Sequence, residues 1–115
     1  MAEMISVHEY VLKENVNPGE FEKAIQDARE RGVLSLPGLV NFYFLKGVRG
    51  RRAGSYTAIW VYENKAVWEI LWGPEGDPKP KENYPQNWKV WEDEILSPFL
   101  ADAPDAIHFT SYKTF

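Results

Sequence analysis

The chain has 115 residues, 17 acidic against 13 basic for a formal charge of -4, and no cysteine. That length suits one domain, residues 1–115, able to bury roughly two-thirds of its unfolded surface without staples. The charge balance disfavours a nucleic-acid partner, and the missing thiols exclude disulfides, thiolate metal sites and cysteine nucleophiles.

The start "MAEMISVHEY" lacks a basic flank before an apolar core, and no apolar run approaches the roughly 18 residues of a membrane span. A cytoplasmic protein with no membrane partner is expected. Five tryptophans, six tyrosines and six phenylalanines exceed what filling a small core requires, so some rings are expected to line a cavity or an interface.

Residues 4–13, "MISVHEYVLK", alternate and are rich in β-branched and aromatic types, which predicts a strand. At "NVNPGEFEK" the signals change together. Asn17 is an N-cap, Pro18 suits the first helical position, and Glu20 completes a capping box. Phe21, Ala24, Ile25 and Ala28 then form one apolar stripe on a helix that Gly32 ends in a left-handed conformation.

Two strand-like runs follow, 39–46 and 55–63, joined by a glycine-punctuated basic hairpin loop. After Asn64, a second N-cap, "KAVWEILW" predicts a short helix. The segment 73–85, "GPEGDPKPKENYP", holds four prolines and predicts no regular structure. "QNWKVWEDEILSPF" is helical again with Trp88, Trp91 and Ile95 on one side, ending before Pro98. "DAIHFTSYKTF" predicts a last strand.

The order β-α-β-β-α-β implies an α+β fold: a ferredoxin-like split βαβ, with a four-stranded antiparallel sheet in the order 4-1-3-2 and helices on one face. The other face is left bare, and so apolar a sheet marks an association surface.

In "EYVLKENVNPGEFEK", "LPGLVNFYFLKG" and "GSYTAIWVYEN" the chain resembles the dimeric α+β barrel superfamily, which includes antibiotic-biosynthesis and haem-degrading monooxygenases, polyketide cyclases and stress-responsive barrel proteins. The resemblance implies a homodimer through the sheet face. It also implies a pocket inside each subunit for a small apolar or aromatic molecule, with activity as a cofactor-independent monooxygenase or cyclase. A non-catalytic stress-type or structural dimer is the alternative. Residues 64–97 contain no histidine, a departure from haem-degrading and cyclase members that argues against haem ligation and the cyclase arrangement.

Alternation places Ser6, His8, Tyr10 and Leu12 on one face of the first strand and Ile5, Val7, Glu9 and Val11 on the other. Tyr56, Ala58, Trp60 and Tyr62 separate likewise from Thr57, Ile59 and Val61, and His108, Thr110 and Tyr112 from Ile107 and Phe109. The polar aromatic faces suit a cavity and the aliphatic ones sheet packing. By resemblance the His8 face looks toward the helices. For the second strand, Asn41 and Tyr43 against Phe42 and Phe44 stays open.

His8 is a candidate general base or carbonyl-orienting imidazole, with Tyr10 or Tyr56 as partner hydroxyl. Trp60, Trp68, Trp88, His108 and Tyr112 are candidate substrate contacts, His108 because its strand neighbours that of His8. The plainer reading is that His8 is a packed strand histidine and the tryptophans are core. The basic loop of Lys46, Arg49, Arg51 and Arg52 either holds an anion at the pocket mouth or is a solvated hairpin tip. Two histidines without a carboxylate at ligand spacing predict no metal, and no cofactor fingerprint is present.

Overall fold

The computed structural model describes residues 2–115. Strand β1 (Met4–Tyr10), helix α1 (Pro18–Glu30), strands β2 (Leu39–Lys46) and β3 (Tyr56–Tyr62), helix α2 (Lys65–Trp72), helix α3 (Gln86–Val90) and strand β4 (His108–Lys113) follow one another as predicted. The sheet runs β2-β3-β1-β4 with every neighbouring pair antiparallel, which is the split βαβ arrangement.

Local chemistry explains the helix ends. The Gly19 N–H donates to Asn17 Oδ1 at 2.7 Å, and the Val67 N–H donates to Asn64 Oδ1 at 3.0 Å, so both asparagines cap as expected. The return bond of a capping box, from the Asn17 N–H to the Glu20 carboxylate, is absent among the described residues. Past α1, Gly32 takes φ of 72°, the Val33 N–H reaches Ala28 O at 3.1 Å and the Gly32 N–H reaches Arg29 O at 3.1 Å, the paired bonds of a Schellman stop. Phe21, Ile25 and Ala28 are buried beneath the helix. Asn17→Ala is expected to cost about 1 kcal/mol, read as a lowered urea midpoint; an unmoved midpoint would mean that the cap adds nothing.

Strand β1 is shorter than predicted. It ends at Tyr10 because β4 pairs only as far as Glu9 opposite His108, and residues near Leu100 take over, with Leu12 bridging Leu100 and the Lys13 N–H donating to Phe99 O at 2.9 Å. Strand β4 starts late because Pro104–Ala106 forms a 3-10 turn.

Facing the helices, Met4, Ser6, Tyr10, Tyr56, Ala58, Trp60 and Tyr62 are buried, as the alternation predicts. In β2 it is Phe42 and Phe44 that turn inward, their rings 5.7 and 5.6 Å from that of Trp60. A bulge at Val40 lets Leu39, opposite Tyr62, and Phe42, opposite Trp60, share this face. Asn41 and Tyr43 point to the open face, where Asn41 Nδ2–H donates to the Tyr43 hydroxyl at 2.8 Å.

The placement of β4 corrects the expectation for His108 and Tyr112. His108 lies opposite Glu9 and Tyr112 opposite Ile5, which puts both on the open face, while Phe109 and Ser111 lie opposite His8 and Ser6 on the helix face. The edge strand is exposed along nearly its whole length, so its own alternation carries no burial requirement.

Helix α3 continues from Trp91 to Leu96 as a π-helical turn, with the Ser97 N–H bonded to Glu92 O at 3.0 Å. The wider turn moves the buried stripe by one residue: Leu96 rather than Ile95 is fully buried after Trp91, and Glu92 is carried inward beside them.

Candidate functional site

Between the β1–β4 side of the sheet and the helices lies a cavity of about 410 Å³. Its floor is Ser6, His8, Phe109 and Ser111, and its walls are Trp68, Trp72, Tyr84 and Trp88. Gly73, Pro74, Glu75 and Pro78 bring the proline-rich segment to its edge, and Lys81, Glu92 and Asp105 supply charge. Gly73 is required there: at φ of 90° it turns the chain out of α2, and a Cβ would sit 2.7 Å from Asp77 O.

The rings interlock edge to face. Trp72 meets Tyr84 at 5.1 Å and Trp88 at 5.2 Å, and Trp88 meets the buried Trp60 at 5.0 Å. His8 is held among Trp60, Trp88 and Phe109 at centroid distances of 5.9, 6.1 and 5.8 Å. Its Nδ1 accepts a hydrogen bond from Trp60 Nε1–H at 3.2 Å. The Ser6 and Ser111 hydroxyls bond one another at 2.8 Å across the strands.

Of the residues proposed from the sequence, the cavity brings together His8, Trp68 and Trp88. Trp60 reaches it only through His8. Tyr10 is buried to 1% exposure, its hydroxyl without a hydrogen-bond partner among the described residues, and does not line the cavity. Tyr56 lies at the far end of the sheet, where its hydroxyl donates to Glu22 Oε2 at 2.5 Å; burial and that carboxylate push it up to about 12. Neither tyrosine hydroxyl is within the cavity to partner His8, and His108 and Tyr112 are on the other side of the sheet. The basic hairpin is also remote, with Arg52 paired to Glu9 at 3.1 Å.

Sequence reasoning missed Glu92. On an amphipathic helix a glutamate reads as solvent-facing, yet it is 7% exposed and its Oε1 has no hydrogen-bond partner among the described residues. Lys81 Nζ approaches that oxygen at 3.5 Å while bonding Asp93 Oδ1 at 2.7 Å and Asp105 Oδ1 at 2.9 Å. Burial alone would lower the Lys81 ammonium, but these carboxylates hold it above the ordinary lysine value. Among the described residues no group of three or more His, Asp or Glu side chains is placed to hold a metal ion.

Two cavity groups titrate in opposing directions. Burial lowers the His8 imidazolium from 6.5 to about 4, and burial raises the Glu92 carboxyl from 4.5 to about 6 against the pull of Lys81. The His8 contribution to stability is complete above pH 6.5 and is lost as pH falls through 4; that of Glu92 is complete below pH 4.5 and is lost as pH rises through 6. Within pH 4.5 to 6 the two oppose each other, so Glu92→Gln should steepen the fall in melting temperature on acidification across that window. Parallel curves for parent and variant would show that Glu92 titrates as an ordinary carboxyl.

No protein-family model matches the chain, and no curated protein matches it in sequence. Solved structures do match it in fold. SnoaB, a cofactor-independent oxygenase from Streptomyces nogalater, superposes with a TM-score of 0.62 at 15% identity, covering 100% of this chain and 95% of that one. A dabb family protein with a ferredoxin-like fold from Mesorhizobium loti gives 0.59 at 11% identity, covering 100% and 97%. A dimeric ferredoxin-like protein of unknown function from Jannaschia gives 0.62 at 12% identity, covering 97% and 99%. In fold, the chain is therefore a ferredoxin-like α+β protein, the fold that the resemblance of its strand and helix-start motifs implied.

Proposed function

We propose that the chain is a homodimeric α+β barrel domain whose cavity binds a small, planar, apolar or aromatic molecule and acts on it without a cofactor, by monooxygenation or cyclisation. The observation that carries this reading is the cavity itself: about 410 Å³ of space walled by three tryptophans and reaching His8. A pocket filled by its own rings would instead favour the non-catalytic dimer. The likeness to SnoaB supports oxygenation, and with no cofactor the electrons that reduce dioxygen must come from an electron-rich substrate ring. Dimerisation is supported by the aliphatic open face of Ile5, Val7, Ile59 and Val61, and by the dimeric state of the Jannaschia neighbour.

Titration of the purified protein with hydroxynaphthalenes, followed by tryptophan fluorescence and an oxygen electrode, tests the reading. Saturable quenching with oxygen uptake above the protein-free rate is expected. Quenching without uptake or any altered product would reduce the protein to a binding module, and no quenching at all would remove the cavity from consideration.

A further inference from the structure

We propose that His8 serves the cavity as a hydrogen-bond donor through Nε2–H, fixed in that tautomer by Trp60, and that the cavity therefore selects planar ligands bearing an acceptor oxygen, a carbonyl or a phenolate. The inference rests on reading the cavity as a ligand site and adds the chemical polarity of that ligand.

An indole N–H can donate and cannot accept. Trp60 Nε1–H donates to His8 Nδ1 at 3.2 Å, so Nδ1 must present its lone pair, and in a neutral imidazole the proton then sits on Nε2. The opposite tautomer would set two N–H groups against each other and strand the Trp60 donor at 0% exposure, where no water can satisfy it. Edge contacts with Trp88 and Phe109 hold the ring plane. Nε2 has no hydrogen-bond partner among the described residues, while His8 itself lines the cavity.

The general-base role that the sequence suggests for His8 needs a lone pair on Nε2, which this arrangement denies. A donor in a ring-lined site instead orients a carbonyl or a phenolate oxygen and stabilises the negative charge it carries. Trp60 is a positioning residue, acting through His8 without touching the ligand.

Two measurements on the full chain test this. Long-range 1H–15N NMR of 15N-histidine-labelled protein at neutral pH should give His8 a pyridine-type Nδ1 and a pyrrole-type Nε2, and Trp60→Phe should move both toward tautomer-averaged shifts. The reverse assignment, or unchanged shifts in Trp60→Phe, would overturn the proposal. In parallel, 1-tetralone and its hydrocarbon counterpart tetralin are titrated by tryptophan fluorescence. The ketone should bind about tenfold tighter, as one hydrogen bond to a neutral donor provides, and His8→Phe should remove the difference. Equal affinities would overturn the donor role while leaving a ligand cavity intact; failure of both compounds to bind would overturn the cavity reading and this inference together.

Discussion

Changing Val7 and Ile59 together to lysine is expected to leave a monomer or an aggregate in place of a dimer, read by light scattering. The two residues face each other across the β1–β3 ladder at the centre of the open face, flanked by Ile5 opposite Val61. Exposed Tyr43 and Leu45 of β2 continue the apolar surface. Helices cover only the other side, so within one chain these groups are only partly buried. In a symmetric pair four such side chains lose the exposure they have left, worth about 2 kcal/mol at roughly 0.5 kcal/mol each. Losing that shifts a dissociation constant by about one and a half decades, and the cost of desolvating the introduced ammonium groups comes on top of it. Because the cavity lies on the opposite face, quenching by a bound ring should persist in a soluble variant. If the parent protein is itself monomeric at micromolar concentration, the open face has some other use.

Trp60→Ala should be the most damaging single core substitution, lowering stability by about 3–5 kcal/mol. Trp60 is fully buried at the centre of the sheet, with the rings of Phe42, Phe44, Trp88 and Trp91 within 6.1 Å and His8 bonded to its N–H. Its removal opens a void that β2, β3 and α3 all border, and rigid edge-to-face neighbours close such a void poorly. Against the roughly 5–15 kcal/mol typical of a domain, the loss would bring the variant near unfolding at ambient temperature. Urea titration measures it directly. Trp60→Phe keeps most of the packing and should cost roughly 1–2 kcal/mol from the lost ring volume and the unpaired His8 nitrogen. An alanine variant as stable as the phenylalanine one would show that the aromatic cluster does not converge on this residue.

The π-helical turn links this core to the charged edge of the cavity. By carrying Glu92 inward next to Trp91, it places a carboxylate where Lys81, arriving from the proline-rich segment, is its charged partner. Lys81 also bonds Asp93 and Asp105, so one ammonium ties the segment after α2 to α3 and to the turn before β4. Nothing in the spacing of "GPEGDPKPKENYP" announces that role.

What the amino-acid order determined by itself was local. Asn17 before Pro18, Asn64 before an apolar run, and Gly32 after one set helix ends through bonds spanning only a few residues, and strict alternation in β1 and β3 sorted Ser6, His8, Trp60 and Tyr62 to the helix side because both are interior strands. The element order then limited the topology to the one observed. What the tertiary structure decided was whatever depends on a partner distant in the chain. Strand β2 shows Phe42 inward because a bulge at Val40 shifts its phase, and β4 turns His108 and Tyr112 away from His8 because register with β1, not its own pattern, assigns the faces of an exposed edge. Tyr10 and Tyr56 have the predicted parity yet lie outside the cavity, since alternation specifies a face and not a position along the strand. The tautomer of His8 follows the same logic, being set by a side chain 52 residues away, whereas Glu92 is carried inward by a local π-helical turn that breaks the α-helical period, so neither shows in the periodicity.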